Sequence, residues 1–260
     1  MHPMHQKCLH AILATALLSS PRPASGQAPS GEQRASYRIS LNQDVFFGFY
    51  PTLAANYKAN DRLDWTVYSI LWTTPGFGVG GGSGLWTEFG SGVHLKTLGG
   101  KLTFTPQLGF LNGKLLSNGS FPMALEGIVP NITANLSASR AEGEFYLGRY
   151  TAMRRGKTRT AAGGLAEVPI QNNFLHYWVN GGVRLSGLLS AGLHYEQLDS
   201  TPDGTAAPPS AGLYKWLGPY VQANFGNLSV RFTAGPDVMS RSPGDGNSSF
   251  YKLSASWMLP

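Results

Sequence analysis

From residue 44 onward, apolar and polar residues alternate one by one, and no stretch sustains the spacing of an amphipathic helix. A period of two places successive side chains on opposite faces of a strand, so each segment separates into an oily face and a polar one. Between Phe174 and Leu185, the residues Leu175, Tyr177, Val179, Val183 and Leu185 fall on one side, against His176, Trp178, Asn180 and Arg184. The next segment repeats the pattern, with Leu189, Ala191, Leu193 and Tyr195 opposed to Ser190, Gly192, His194 and Glu196. Ser186-Gly187 between them predicts a two-residue hairpin. The same reading gives apolar faces at Leu53 to Tyr57, Leu63 to Leu71, Leu85 to Leu95, Leu102 to Phe110, Ile128 to Leu136, Phe145 to Leu147, Leu217 to Phe225, Leu228 to Ala234 and Tyr251 to Trp257, eleven strands in all.

The connections alternate in length. Ala59 to Arg62, Thr97 to Gly100, Ser139 to Glu142, Ser186-Gly187 and Gly226-Asn227 are short. Between them lie long stretches rich in Gly, Pro, Ser and Asn: Thr73 to Gly84, Asn112 to Gly127, Arg154 to Asn172, Asp199 to Gly212 and Met239 to Ser248. Tight turns on one rim and long loops on the other are the asymmetry of outer-membrane barrels, whose short turns are periplasmic and whose long loops are external. Aromatic residues on the oily face form two belts, Tyr57, Trp65, Phe225 and Trp257 near the short turns and Phe110, Tyr177, Tyr195 and Tyr251 near the long loops. Such rings settle at membrane interfaces because part of each is apolar and part can meet water. The expectation is therefore an all-β, antiparallel, up-and-down transmembrane β-barrel. An even strand count is needed to bring both ends of the chain to one side. Tyr37 to Asn42 alternates as well, with Ile39 and Leu41 on one side, and supplies a twelfth strand if Phe46 to Pro51 partly forms a turn. Ten strands is the next count, and a rival reading threads Tyr37 to Asn42 through the lumen as a plug.

Composition agrees with this class. Only 13% of the 260 residues are charged, well below the roughly 25% of soluble domains, and 33 are glycine. The first 26 residues have the layout of a secretory signal peptide, with Lys7 ahead of an apolar stretch from Leu9 to Leu18 and small residues before a cleavage point after Gly26. Residues 27–36 then read as a flexible lead and residues 37–260 as the barrel, which places the protein in the bacterial outer membrane after export. The sole cysteine, Cys8, falls in the signal peptide. The mature chain carries 18 basic and 14 acidic residues, a mild bias that excludes a nucleic-acid platform. The basic run Arg154, Arg155, Lys157 and Arg159 reads as a solvated loop or as a contact for anionic lipid, so the expected partners are outer-membrane lipids and lipopolysaccharide, with no nucleic acid.

Six phrases resemble an uncharacterised family of bacterial outer-membrane-like β-barrel proteins: DVFFGFYP at Asp44 to Pro51, GLWTEFG at Gly84 to Gly90, EGIVPN at Glu126 to Asn131, HYWVN at His176 to Asn180, WLGPYV at Trp216 to Val221 and FTAGPDV at Phe232 to Val238. The resemblance implies the architecture and brings no catalytic or ligand residues with it. The chain departs from the common outer-membrane ending, a terminal phenylalanine, by closing on Trp257, Met258, Leu259 and Pro260.

Function rests on the polar face. Its charges are balanced, with Asp64, Glu88, Glu142, Glu144 and Glu196 against Lys96, Lys101, Arg184, Arg231 and Lys252. Balance suits a salt-bridged lattice or a narrow, weakly selective pore rather than a channel with rings of one sign. Glycines 90, 92, 181, 182, 192 and 218 leave room on the inner wall or relieve curvature. The sharpest group is at the outer mouth, where one register sets His176 opposite Glu196 with His194, Trp178 and Trp216 nearby. With Arg184, Glu88 and Arg231 these are the lumen or ligand candidates. Ser190 and His194 stand roughly 13 Å apart along one strand, too far for proton transfer. A protease-like pairing of His194 with Asp199, Asp203 or Asp237 is a remoter alternative. No motif calls for a cofactor or a metal, and the chain is not read as an enzyme. The expected function is a narrow pore or transport barrel for a small polar solute. The alternatives are a structural or surface-binding barrel without conductance and a lipid-modifying barrel enzyme.

Overall fold

A computed structural model describes residues 34–72, 86–205, 207–239 and 249–259. The signal-peptide expectation and the loop from Thr73 to Gly84 lie outside these residues. The alternating segments form β1 (Ala35–Asp44), β2 (Thr52–Lys58), β3 (Leu63–Trp72), β4 (Trp86–Thr97), β5 (Leu102–Gly113) and β6 (Met123–Ser137). The other half of the sheet is β7 (Ala141–Ala152), β8 (Phe174–Arg184), β9 (Leu189–Ser200), β10 (Ala211–Phe225), β11 (Leu228–Pro236) and β12 (Ser249–Leu259). Each strand pairs antiparallel with its neighbours in the chain, and β12 returns to pair with β1 from Tyr37↔Leu259 to Asp44↔Lys252. The result is a closed barrel of twelve strands. The segment from Tyr37 to Asn42 is thus wall and not plug.

Closure satisfies every strand edge, which is what a sheet surrounded by hydrocarbon requires. Short turns gather at one rim, called inner here, and long loops at the other. The outward face is oily, with Trp65 59% exposed, Val179 45% and Leu193 62%. The inward face holds buried polar groups such as Asp64, Glu88, Asn180 and Glu196. That inversion of the soluble pattern makes the barrel transmembrane. Bimane attached through Val179→Cys and Leu193→Cys is expected to be quenched by brominated acyl chains, and bimane at Asn135→Cys, which lines the lumen, is not. Quenching at Asn135→Cys with none at Val179→Cys and Leu193→Cys would reverse the faces.

Two local readings are corrected. The β8–β9 connection is Leu185 to Leu188 rather than Ser186-Gly187 alone, because Ser186 Oγ accepts the backbone N–H groups of Leu188 (3.2 Å) and Leu189 (3.1 Å) and holds a longer loop. The inward glycines also do not leave empty space. Tyr220 lies against Gly182 and Gly192, and Tyr68 against Gly90 and Gly109. A flat ring thus covers those four glycines, while Gly92 lies against the Pro106 carbonyl and Gln107, and Gly218 against the Ala234–Gly235 backbone. Gly181 faces outward, where an added Cβ meets nothing within 4 Å. At Gly192 it would fall 2.6 Å from Tyr220 Cε1 and from the Gly182 Cα. Gly192→Ala is therefore expected to cost about 2 kcal/mol, the range of an overpacked core. The shift from folded to unfolded gel mobility on heating should come at a lower temperature for it than for Gly181→Ala.

Candidate functional site

The outer mouth is built first by a turn. After Asp44 the chain reverses, with Gly48 and Phe49 pairing back onto Asp44 and Gln43. The Asp44 carboxylate, itself buried, accepts the N–H groups of Phe46 (2.9 Å) and Phe47 (2.6 Å) and fixes the reversal. Phe46, Phe47 and Tyr50 are thereby carried into the barrel. Phe47 packs on Trp72 (4.7 Å between centroids) and His176 (5.7 Å), while Tyr50 stacks on Trp72 (4.9 Å). Trp72 stacks in turn on Trp86 at 4.8 Å. From the other side Phe46 meets Tyr214 (4.8 Å), which stacks on Trp216 (4.0 Å), which stacks on Phe250 (4.8 Å). These rings form one aromatic layer across the mouth. Leu116 joins it from the loop after β5, tied down because Glu126 accepts the backbone N–H groups of Leu115, Leu116 and Ser117.

Directly against this layer sits a buried carboxylate. Glu196, wholly inaccessible, faces His176 Nε2 at 2.9 Å and His194 Nε2 at 3.1 Å, and accepts the Tyr214 hydroxyl at 2.7 Å and the Lys252 ammonium. A buried carboxylate needs such saturation, since an unpaired one costs far more than its partners return. The register sets Trp178, not His176, opposite Glu196, and His176 opposite Leu198. His176 reaches the carboxylate diagonally, a direction long side chains span readily.

The network continues down one wall. His194 Nδ1 contacts Asn180 Oδ1 at 2.7 Å, and the Asn180 amide donates to Glu144 at 2.8 Å. Arg231 grips Glu144 with two guanidinium nitrogens (2.5 and 3.1 Å), donates to Gln222 (2.9 Å) and lies over the Tyr220 ring at 4.7 Å. The Tyr220 hydroxyl donates to Glu142 at 2.9 Å, and Arg184 stands 3.7 Å from Glu142 near the inner rim while donating to Ser137. On the opposite wall Tyr68 donates to Glu88 at 2.8 Å and accepts from Asn131 at 2.9 Å. Lys96 pairs with Asp64 at 2.7 Å, and Lys101 is exposed in a turn.

Of the sequence candidates, His176, His194 and Glu196 come together as one cluster, and Arg231 joins through Asn180 and Glu144. Trp178 stands on the lumen wall below, Trp216 belongs to the aromatic layer, Glu88 lies across the lumen and Arg184 lies at the far rim. Sequence reading missed Asp44, Phe47 and Tyr214. None of Asp199, Asp203 or Asp237 is a hydrogen-bond partner of His194: Asp199 accepts from Gln197, and Asp237 accepts the N–H groups of Lys215 and Met239. The loop cations Arg154, Arg155, Lys157 and Arg159 are exposed, and Arg159 lies 5.7 Å over the Phe121 ring.

Below the aromatic layer the lumen holds a cavity of about 390 Å³, lined from Phe47 and Trp72 at the top to Arg38 and Ser256 near the inner rim. What this assembly can do chemically is hold water or a small polar molecule among hydroxyl, amide and paired ionic groups.

Solved barrels share the fold. The chain is similar to the COG4313 outer membrane channel from Pseudomonas putida F1, with 8% identity, 92% of this chain and 100% of that one covered, and a TM-score of 0.50. It is also similar to the NanC porin (6% identity, 86% and 100% covered, TM-score 0.48) and to LpxR from Salmonella typhimurium (7%, 85% and 99%, TM-score 0.39). None of the curated proteins matches the chain significantly in sequence. A family model does match, from residue 4 to residue 259, and by that match this barrel belongs to a family of unknown function, DUF6733.

Proposed function

We propose that the protein is a narrow pathway for small polar solutes, shut at its outer mouth in the conformation described. One observation supports this above the others: the cavity of about 390 Å³ runs along polar walls towards the inner rim and ends above on side chains rather than on the strand ladder. Apart from the turn after Asp44, the described obstruction consists of ring and aliphatic side chains, and a hydrophobic constriction of this sort gates by excluding water. Paired ions along the wall give a hydrated path without strong preference for either sign.

A second reading, a surface-binding barrel that never conducts, draws support from the interlocked loops above the mouth. Gly156 N–H donates to Ser117 at 2.8 Å and Ser120 N–H to Lys157 at 2.9 Å, joining the loops after β5 and β7. Planar-bilayer recording of the reconstituted protein separates the two. The pathway reading expects small, brief openings that grow more frequent at high potential. An ion-tight barrel at every potential, in protein that shows folded gel mobility, would favour the second.

A further inference from the structure

Most of the charged groups of the lumen are engaged by partners in the wall. Glu196 is occupied by Lys252 and two histidines, Glu144 by Arg231 and Asn180, and Glu88 by Tyr68. What the cavity presents to a guest is mostly neutral. Asn56, Gln107 and Asn135 line it, and their side-chain amides have no protein hydrogen-bond partner among the described residues. Each such amide offers a carbonyl acceptor and two N–H donors, so the wall can meet hydroxyl groups in either sense. Between them stand Ser and Thr hydroxyls from β1, β2, β3, β5, β6, β11 and β12.

The same cavity has an apolar platform. Trp178 on β8 pairs directly with Tyr146 on β7, both point inward, and their rings stack at 5.9 Å with an interplanar angle of 16°. Both rings are only partly buried and both line the cavity. A flat π-surface beside unpaired amides and hydroxyls is complementary to a ring with apolar C–H faces and a hydroxyl edge. The cavity, about 390 Å³, falls at the small end of the range of about 300–1,000 Å³ for small-molecule sites. That size admits one or two sugar rings.

We infer that the lumen binds a neutral, polyhydroxylated ring compound, a mono- or disaccharide, with Trp178 and Tyr146 as its platform and Asn56, Gln107 and Asn135 as its hydrogen-bonding wall. The inference rests on reading the barrel as a solute pathway and adds the class of solute. Arg38 is the counter-consideration: it is an exposed cation on the cavity lining, with its Nε donating only to Met258 Sδ at 3.1 Å, and it would favour an acidic sugar. It stands opposite Ala54, at the Asn56 end of the same wall, so the glucuronate arm of the test reads its contribution directly.

The test is saturation-transfer NMR on the detergent-solubilised protein with glucose, maltose, glucuronate and glucosamine as probes. Saturable transfer to glucose or maltose is expected, with glucuronate and glucosamine weaker. Trp178→Ala should weaken binding about tenfold or more, equivalent to at least about 1.4 kcal/mol, while Trp178→Phe, which keeps a platform, retains most of it. Asn135→Leu supplies an independent variant should Trp178→Ala lose the folded gel mobility. Tighter binding of glucuronate, unchanged affinity in Trp178→Ala and Asn135→Leu, or no saturable transfer to either neutral sugar would overturn the inference. Conductance in planar bilayers is read separately. A conducting barrel without sugar binding leaves the pathway and removes the solute class, and sugar binding in a silent barrel does the reverse.

Discussion

Phe47→Ala combined with Tyr50→Ala raises the mean conductance of the reconstituted barrel roughly tenfold or more, because an apolar layer that excludes water is interrupted at its centre. The two rings seat the turn against Trp72 and His176, and Phe46 beside them carries the layer on to Tyr214. Phe47 touches Trp72 and His176, and Tyr50 stacks on Trp72, whereas Tyr214, Trp216 and Phe250 hang from the opposite wall. Removing them opens a gap beside the hydrated cavity without touching any strand pairing, since both residues lie in the connection between β1 and β2. Folded gel mobility should persist. Asp44→Ala acts in the same direction with a smaller effect, because it frees the turn that aims Phe47 inward but leaves the rings in place. Single-channel recording checks both variants. Conductance that stays at the native level in folded Phe47→Ala/Tyr50→Ala protein would mean that this segment does not close the mouth.

Glu196→Ala is expected to cost about 3–5 kcal/mol, the penalty for removing one member of a buried ionic group and abandoning the others. Lys252 would lose its nearest carboxylate and keep only Asp44, which faces it across the β1–β12 join and already accepts the N–H groups of Phe46 and Phe47, while the Tyr214 hydroxyl would keep only the longer contact to His176 at 3.3 Å. Adding Lys252→Met to Glu196→Ala should restore part of the loss, because it removes the stranded ammonium, but not all of it, because the buried Asp44 carboxylate then loses the cation that faces it. Urea unfolding in lipid vesicles provides the measurement. A single-variant cost below about 1 kcal/mol would show that the cluster is well hydrated and that its charges need no mutual pairing.

Much of the barrel is legible in the alternation itself. A strict period of two determines which residues of Phe174 to Arg184 meet lipid, and the contrast between short and long connections determines which rim holds the loops. The count of twelve follows from Tyr37 to Asn42, whose alternation is as clear as that of any other strand. Register is another matter. It depends on how many residues the turn consumes: a Ser186-Gly187 turn would set His176 opposite Gln197, and the longer loop held by the Ser186 hydroxyl sets it opposite Leu198, so it meets Glu196 only on the diagonal. The aromatic layer is hidden for a different reason. Phe46, Phe47 and Tyr50 read as apolar residues of a strand or turn, and periodicity cannot show that a carboxylate two and three residues earlier folds them back into the lumen. Tyr214 and Trp216 sit in phase with the polar face, where a ring looks like an exception until its stacking partners are known. The charge ladder is visible as balance but not as connectivity, because its links pass through Asn180 and Tyr220, residues that carry no charge.

The join between β1 and β12 also constrains how the protein comes to exist. Arg38 and Met258 meet across a separation of 220 residues, so the contacts that complete the circle are the least local in the molecule and carry the greatest loop-closure cost. Until they form, the growing sheet has two raw borders of unpaired amides and carbonyls, each able to recruit a stranger's strand in place of its own. Birth of the finished cylinder is therefore a race between that last zipper and misassociation, and its outcome turns on how quickly the first and last strands find each other.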